Sequence, residues 1–85
     1  MEGMKKTKFE MAVIDKVADM RRKKNLSQDD IAIILDLTRG YIGQIESPNN
    51  ASTYNLNHLN RLAHEFGCSP QDFIPGKPIA EEDWG

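Results

Sequence analysis

The sequence predicts an all-α protein, a compact five-helix bundle, on the strength of three observations. Apolar residues recur at helical spacing in several segments of the chain. Helix-capping residues precede these segments, and residues that end helices follow them. No alternating strand pattern and no hairpin turn interrupts them. The chain has 85 residues, which is enough for one domain.

The first helix is expected over residues 9–24, because four apolar residues share one helical face there. They are Phe9, Val13, Val17 and Met20. Asn25 follows, and asparagine tolerates the left-handed conformation in which many helices end. The segment is therefore predicted to be an amphipathic helix that ends at a turn.

A short second helix and a short third helix follow, separated by a tight turn. Ser27 is a good N-cap for the second, and Asp30 takes the place of the acidic partner in a capping box. Asp36 tolerates the positive φ that the turn requires, and Thr38 can cap the third helix. The residues expected to be buried are Ile31, Ala32, Leu35, Ile42 and Ile45.

The last part of the chain supplies a loop and two more helices. Residues 47–53 are expected to form the loop, because they contain one proline and two asparagines. Asn55 then caps a fourth helix, which ends at Gly67. Ser69 and Pro70 begin a short fifth helix. The apolar residues expected to face the core are Leu56, Leu59, Leu62, Ala63, Phe66, Phe73 and Ile74.

The chain offers little to support catalysis, metal binding or membrane insertion. Its single cysteine, Cys68, allows neither an internal disulfide nor a thiolate metal cluster, and we expect it to be a buried hydrophobic residue. His58 and His64 lie about 600° apart on one helix, so they make a poor metal pair. We expect no enzyme activity, no metal and no cofactor. Because no apolar run approaches ~18 residues and no signal-peptide core is visible, we expect a cytoplasmic protein without membrane contact.

The spacing of the second and third helices indicates a nucleic-acid partner. Two short helices joined by a three-residue turn form a helix-turn-helix, whose second helix can enter the major groove of double-stranded DNA. The third helix turns Arg39, Gly40, Gly43, Gln44 and Ser47 away from its buried isoleucines. Arginine can recognise guanine, and glutamine adenine, through paired hydrogen bonds. The two glycines either let the helix backbone approach the bases closely or have no function on a solvent-facing surface.

Residues 17–74 resemble the Xre family, the helix-turn-helix domain of phage repressors and Cro proteins. The resemblance rests on Arg21, Leu26-Ser27-Gln28, Ile31-Ala32, Leu35, Leu37-Thr38, Tyr41-Ile42, Ile45-Glu46, Leu59, Leu62-Ala63 and Phe66-Gly67-Cys68-Ser69. It implies a transcriptional regulator that binds operator DNA, usually as a homodimer. Asn25 and Asp36 stand where the family usually has glycine, and both tolerate that conformation.

The resemblance also implies roles for individual residues. The base-reading positions are Arg39, Gly40 and Gln44, where Gly40 supplies no side chain and so makes direct readout thinner than usual. The phosphate-contacting positions are Gln28, Tyr41, Ser47, Asn49, Asn50 and Thr53, and Gln28 also matches a residue that supports the third helix. Arg21 and Glu46 match a structural salt bridge between the first and third helices.

Charge and exposed apolar residues leave two classes of function open. The net charge of −2 derives from an acidic end, Glu81–Asp83, so we expect a loose acidic tail at 77–85 beyond a helix-turn-helix domain at 9–76. Residues 1–8 are expected to be a flexible basic arm, whose lysines contact phosphate or are only solvated. The alternative to a regulator is a protein-interaction module or an antitoxin, with a partner bound through Ile33, Ile34 or the tail.

Overall fold

The computed structural model describes residues 6–84 of the chain. This part contains four α-helices: α1 (Lys8–Lys23), α2 (Gln28–Leu35), α3 (Arg39–Glu46) and α4 (Leu56–Phe66). Two short 3₁₀ helices, Pro70–Phe73 and Glu82–Trp84, follow them. Residues 6–84 contain no strand, so the all-α prediction is confirmed.

The predicted fifth helix is a single 3₁₀ turn. Ser69 caps it by accepting a hydrogen bond from the Gln71 amide, and Pro70 occupies its first turn, as expected from the sequence. The segment ends after four residues, because Ile74 is extended and precedes Pro75, which disfavours helical backbone at the residue before it. The five-helix count is therefore not confirmed.

Local signals place most helix ends correctly. Ser27, Thr38 and Asn55 each accept a hydrogen bond from the amide three residues ahead, so the three caps are confirmed. Asn25 and Asp36 have φ values of 59° and 58°, in the left-handed region expected for them. The turn between α2 and α3 is thus set by one non-glycine residue at positive φ and one threonine cap.

The start of α1 has a cap that the sequence interpretation missed. The Thr7 hydroxyl accepts a hydrogen bond from the Glu10 amide, and the Glu10 carboxylate accepts one from the Thr7 amide. This Thr-x-x-Glu pattern is a readable capping box. It starts the helix at Lys8, one residue before the predicted boundary.

The core is formed mainly by the apolar residues expected to face inward. Val17, Ile31, Ile42, Ile45, Leu62 and Phe73 are fully buried. Ile14, Ala18 and Tyr54 are also buried, although the periodicity had not selected them. Leu56 is 80% exposed instead of buried, because it stands in the first turn of α4, where no described residue covers it. Ile74, also expected to face the core, is 36% exposed, because it follows the 3₁₀ turn in an extended segment.

Packing against the other helices fixes the orientation of α3. α2 packs against α3 and α4, and α1 packs against α3 and the first 3₁₀ helix. Ile42 and Ile45 on α3 are both 0% exposed. Since burial of a large aliphatic side chain is worth about 1.5–3 kcal/mol, these two residues hold one face of α3 inward and leave the other outward.

The segment expected to be a loose tail contacts α1. The carboxylate of Glu81 accepts hydrogen bonds from the amides of Lys8 and Phe9, at 2.9 and 3.0 Å. Amides in the first turn of a helix have no partner within the helix, and a carboxylate there is also favoured by the helix dipole. The expectation of a loose tail therefore has to be corrected for residue 81, while Gly85 lies outside the described residues.

Cys68 is partly buried and packs against the core, where desolvation raises the pKa of its thiol.

Within the described residues, no group of three or more histidine, cysteine, aspartate or glutamate side chains is arranged to hold a metal ion. Over residues 6–84, no helix has both the length and the apolar character that crossing a membrane requires.

The hydrogen bond at the N-terminus of α4 should make the stability of the protein depend on pH. The Asn55 amide donates to Nδ1 of His58 at 3.1 Å, and burial lowers the pKa of His58 below its ordinary 6.5. Protonated Nδ1 cannot accept this bond, so the folded state binds the proton more weakly than the unfolded state does. The His58 contribution is therefore fully present above about pH 6.5, and it is lost as the pH falls through the lowered pKa.

Replacing His58 by glutamine should reduce this part of the pH dependence. Glutamine can close the capping box but does not titrate. The measurement is the free energy of unfolding in urea between pH 5 and pH 7.5. His64→Gln, at an exposed position of the same helix, is the matched control and should keep the parental profile. Equal pH profiles for parent and His58→Gln would contradict the prediction.

Candidate nucleic-acid interface

The outward face of α3 has the residue types expected of a surface that contacts DNA bases. At about 100° per residue, Arg39, Gly40, Gly43 and Gln44 fall within an arc of about 140°, opposite Ile42 and Ile45. Arg39, Gly40 and Gln44 are all exposed. The structure therefore brings the three predicted base-reading positions together on one accessible face of a two-turn helix.

The two glycines of α3 have different surroundings. A Cβ added at Gly40 would meet no atom within 4 Å, so nothing in the described chain requires glycine there. A Cβ at Gly43 would lie 3.7 Å from Oε1 of Gln28, at ordinary contact distance. Gly43 is therefore covered in part by α2, whereas Gly40 faces open space.

The C-terminal end of α3 is fixed by a partly buried cluster of polar side chains. Arg21 and Glu46 form a two-pronged ion pair, with Nε to Oε2 and Nη2 to Oε1 both at 3.0 Å. Their side chains are only 11% and 10% exposed, so solvent screens the pair weakly. Arg21 also donates through Nη1 to the carbonyl oxygen of Leu26 at 3.0 Å. The resemblance implies a structural pair at these two positions, and here the pair joins α1 to the end of α3.

Gln28 extends this cluster to α2. Its Nε2 donates to Oε1 of Glu46 at 2.9 Å. Its side chain is partly buried and passes over Gly43. This contact connects the first residue of α2 to the last residue of α3, so the two helices of the helix-turn-helix are fixed to each other by a side-chain bond as well as by packing.

The loop after α3 is organised by short-range hydrogen bonds. Oγ of Ser47 accepts from the Asn49 amide at 3.4 Å, and Oδ1 of Asn50 accepts from the Ser52 amide at 2.9 Å. Such bonds from serine and asparagine side chains to nearby amides are typical of turns. Asn49 is exposed, whereas Ser47, Asn50 and Thr53 are partly buried. The predicted phosphate-contacting residues of the loop thus share one segment but differ in accessibility.

Tyr41 lies on the side of α3 that faces α4. It lines an open groove of about 550 Å³ together with residues of the α2–α3 turn and His58. The ring is partly buried, and it packs against the hydrophobic core. The structure shows the half-buried packing considered from the sequence, and phosphate contact by Tyr41 stays a prediction.

One contact at the site, made by a basic residue near the start of the chain, was not predicted from the sequence. Nζ of Lys6 lies against the carbonyl oxygens of Gln44, Ser47 and Asn50, at the end of α3 and in the loop. The sequence had placed Lys6 in a flexible arm, and residues 1–5 of that arm lie outside the described residues. No local motif could have found the contact, because its partners are 38 to 44 positions away.

Comparison with protein families agrees with this geometry. A family model described as a helix-turn-helix domain matches residues 14–78, from near the middle of α1 to beyond the first 3₁₀ helix. No curated protein and no solved structure matches the chain significantly. The helix-turn-helix is a DNA-binding arrangement, and domains of this family are typically not enzymes. The family match covers well over half of the chain, which therefore belongs to the helix-turn-helix domain family.

Proposed function

We propose that this protein is a sequence-specific transcriptional regulator of the Xre type, which inserts α3 into the DNA major groove. The observation that carries the proposal is the outward face of α3, with Arg39, Gly40 and Gln44 exposed while Ile42 and Ile45 are fully buried. A helix held in this way presents a rigid surface of the size that the major groove accepts.

Each group at the site has a distinct task under this proposal. Arg39 and Gln44 donate to base edges, and Gly40 lets the helix backbone approach the bases. Gln28, Tyr41 and the loop at 47–53 contact the sugar-phosphate backbone, which sets the register of the protein on the duplex. The loop residues that contact phosphate under this proposal are Ser47, Asn49, Asn50 and Thr53. Arg21 and Glu46 contact no DNA, and their ion pair keeps α3 in position.

The charge of the site favours specific over nonspecific binding. Arg39 is the one basic residue in α3, and the whole chain has a net charge of −2. Nonspecific affinity comes mainly from neutralised phosphates and should therefore be modest. We propose binding as a homodimer, in which two copies of α3 enter successive turns of one groove about 34 Å apart.

Selection of bound sequences from random double-stranded DNA tests the proposed function. We expect a short motif, repeated with two-fold symmetry at a spacing of about one helical turn. Binding to the selected duplex should weaken steeply as the salt concentration rises. Failure to enrich any sequence at low salt would contradict the proposal.

Gly40→Ala should separate folding from DNA binding. Alanine is favoured over glycine in helices by up to about 1 kcal/mol, and the site is open, so the free energy of unfolding should rise by as much as that. If bases approach this position, the added methyl group should weaken binding to the selected duplex by about tenfold, or 1.4 kcal/mol. Urea unfolding and fluorescence anisotropy measure the two effects.

Gly76→Ala is the matched control for Gly40→Ala, since a Cβ there also meets nothing within 4 Å and Gly76 lies outside α3. It should leave DNA affinity unchanged. A Gly40→Ala variant that binds as tightly as the parent would show that the α3 backbone does not closely approach the bases.

A second candidate function, a protein-interaction module or antitoxin, is favoured by one observation. Ile33 on α2 is 70% exposed, so its aliphatic side chain is accessible to a partner. Ile34 beside it packs against the core, and hydrogen bonds to Glu81 hold the tail against α1. Ile33 is therefore the most accessible of the three proposed partner contacts. If the selection from random DNA enriches no motif, that result would favour this function over DNA binding.

A further inference from the structure

Lys6 joins two parts of the site that lie far from it in sequence. Its ammonium group contacts the carbonyl oxygen of Gln44 at 3.3 Å, that of Ser47 at 2.5 Å and that of Asn50. The carbonyl oxygens of Gln44 and Ser47 also accept backbone hydrogen bonds, from the amides of Ser47 and Asn50 at 3.2 and 3.3 Å. A carbonyl oxygen has two lone pairs and an ammonium group carries three donors, so one lysine can bind all three carbonyls in addition to these bonds.

The backbone that follows this lysine is fixed. Thr7 and Glu10 form the capping box of α1, and Glu81 accepts hydrogen bonds from the amides of Lys8 and Phe9. Lys6 therefore extends from an anchored helix start, and its side chain spans from that start to the end of α3. Burial lowers the pKa of Lys6, and the nearby Glu10 carboxylate opposes that shift.

The loop at 47–53 depends on this lysine for long-range hydrogen bonding. Within the loop, the bonds that start from Ser47 and Asn50 span only two or three residues. Among residues 6–84, the hydrogen bonds that reach this loop from a distant part of the chain come from Lys6. They are charge-assisted, and bonds of that kind are about twice as strong as neutral ones.

We propose that Lys6 is a positioning residue of the DNA interface: its ammonium group binds three converging carbonyls and thereby fixes the 47–53 loop against the end of α3. The proposal rests on the proposed function in so far as this loop contacts phosphate. Lys6 acts through the loop, because the carbonyls that surround its ammonium group direct its donors toward the protein.

Lys6→Met tests the proposal, because methionine keeps a long flexible side chain without the charge or the donors. Lys8→Met is the matched control, since it removes the same charge two residues away at an exposed position. Amide hydrogen exchange in the protein without DNA reports on loop order. Exchange at Asn49, Asn50 and Ser52 should accelerate at least about threefold in Lys6→Met and remain parental in Lys8→Met.

Affinity for the selected duplex completes the test. It should fall about tenfold in Lys6→Met, because a disordered loop must be ordered again on binding. Parental exchange rates in Lys6→Met would overturn the proposal, and so would accelerated exchange with parental DNA affinity. If the parent protein binds no duplex, the proposed function fails, and the exchange rates still decide whether Lys6 fixes the loop.

Discussion

Replacing Glu46 by alanine should lower the free energy of unfolding by roughly 3–5 kcal/mol. The cost is large because the Arg21 side chain, only 11% exposed, would keep its charge largely shielded from solvent without its counter-ion, and Gln28 would lose its acceptor. Tyr54 lies close to this pair, but burial raises the pKa of its hydroxyl, so it stays neutral and cannot replace the carboxylate. Domains of this size are stable by about 5–15 kcal/mol, so much of the margin would be lost.

Urea unfolding followed by circular dichroism measures the effect of Glu46→Ala. Glu65→Ala is the matched control, because the Arg61–Glu65 pair is 58% and 37% exposed and such pairs contribute only about 0.3–0.5 kcal/mol. A double variant, Arg21→Met with Glu46→Leu, should recover most of the lost stability, since it removes both charges. Equal costs for Glu46→Ala and Glu65→Ala would contradict the proposed structural role of the buried pair.

Replacing Arg39 and Gln44 together by alanine should abolish specific DNA binding while the protein stays folded. Each paired contact to a base is worth about 1–3 kcal/mol of discrimination, so the double variant should lose at least about thirtyfold in affinity for the selected duplex. Both side chains are exposed, and alanine favours helix, so the free energy of unfolding should change little. Fluorescence anisotropy with the selected and a scrambled duplex measures the loss of discrimination.

The control for that double variant uses the same two residue types elsewhere on the surface. Arg61 and Gln71 are exposed, on α4 and on the first 3₁₀ helix. Their replacement by alanine should leave discrimination between the selected and scrambled duplexes at the parental level. If the α3 double variant discriminates as well as the parent, then α3 is not the recognition helix.

The parts of this structure that sequence could predict are those set by neighbouring residues. A cap requires a few consecutive residues, so Ser27, Thr38 and Asn55 were assigned correctly, and Thr7 with Glu10 was equally readable. Left-handed backbone at Asn25 and Asp36 was predictable for the same reason.

Contacts between distant segments could not be predicted in the same way. The bonds from Glu81 to the start of α1 span 72 and 73 positions, and no local pattern encodes them. The periodicity of α4 included Leu56 in the core face, but periodicity cannot show whether another element covers that turn. The contacts of Lys6 belong to the same class, which explains why its position against α3 and the following loop was not predicted.

The central claim is that the core holds α3 with its polar face outward, as a surface shaped for the major groove. Titration of the labelled protein with the selected duplex, followed by the backbone amide signals in NMR spectra, tests it most directly. We expect the largest shifts at residues 39–47 and in the loop to residue 53, with small shifts around Ile33 and Leu56. Shifts concentrated around Ile33 and Leu56, with residues 39–47 unchanged, would contradict it.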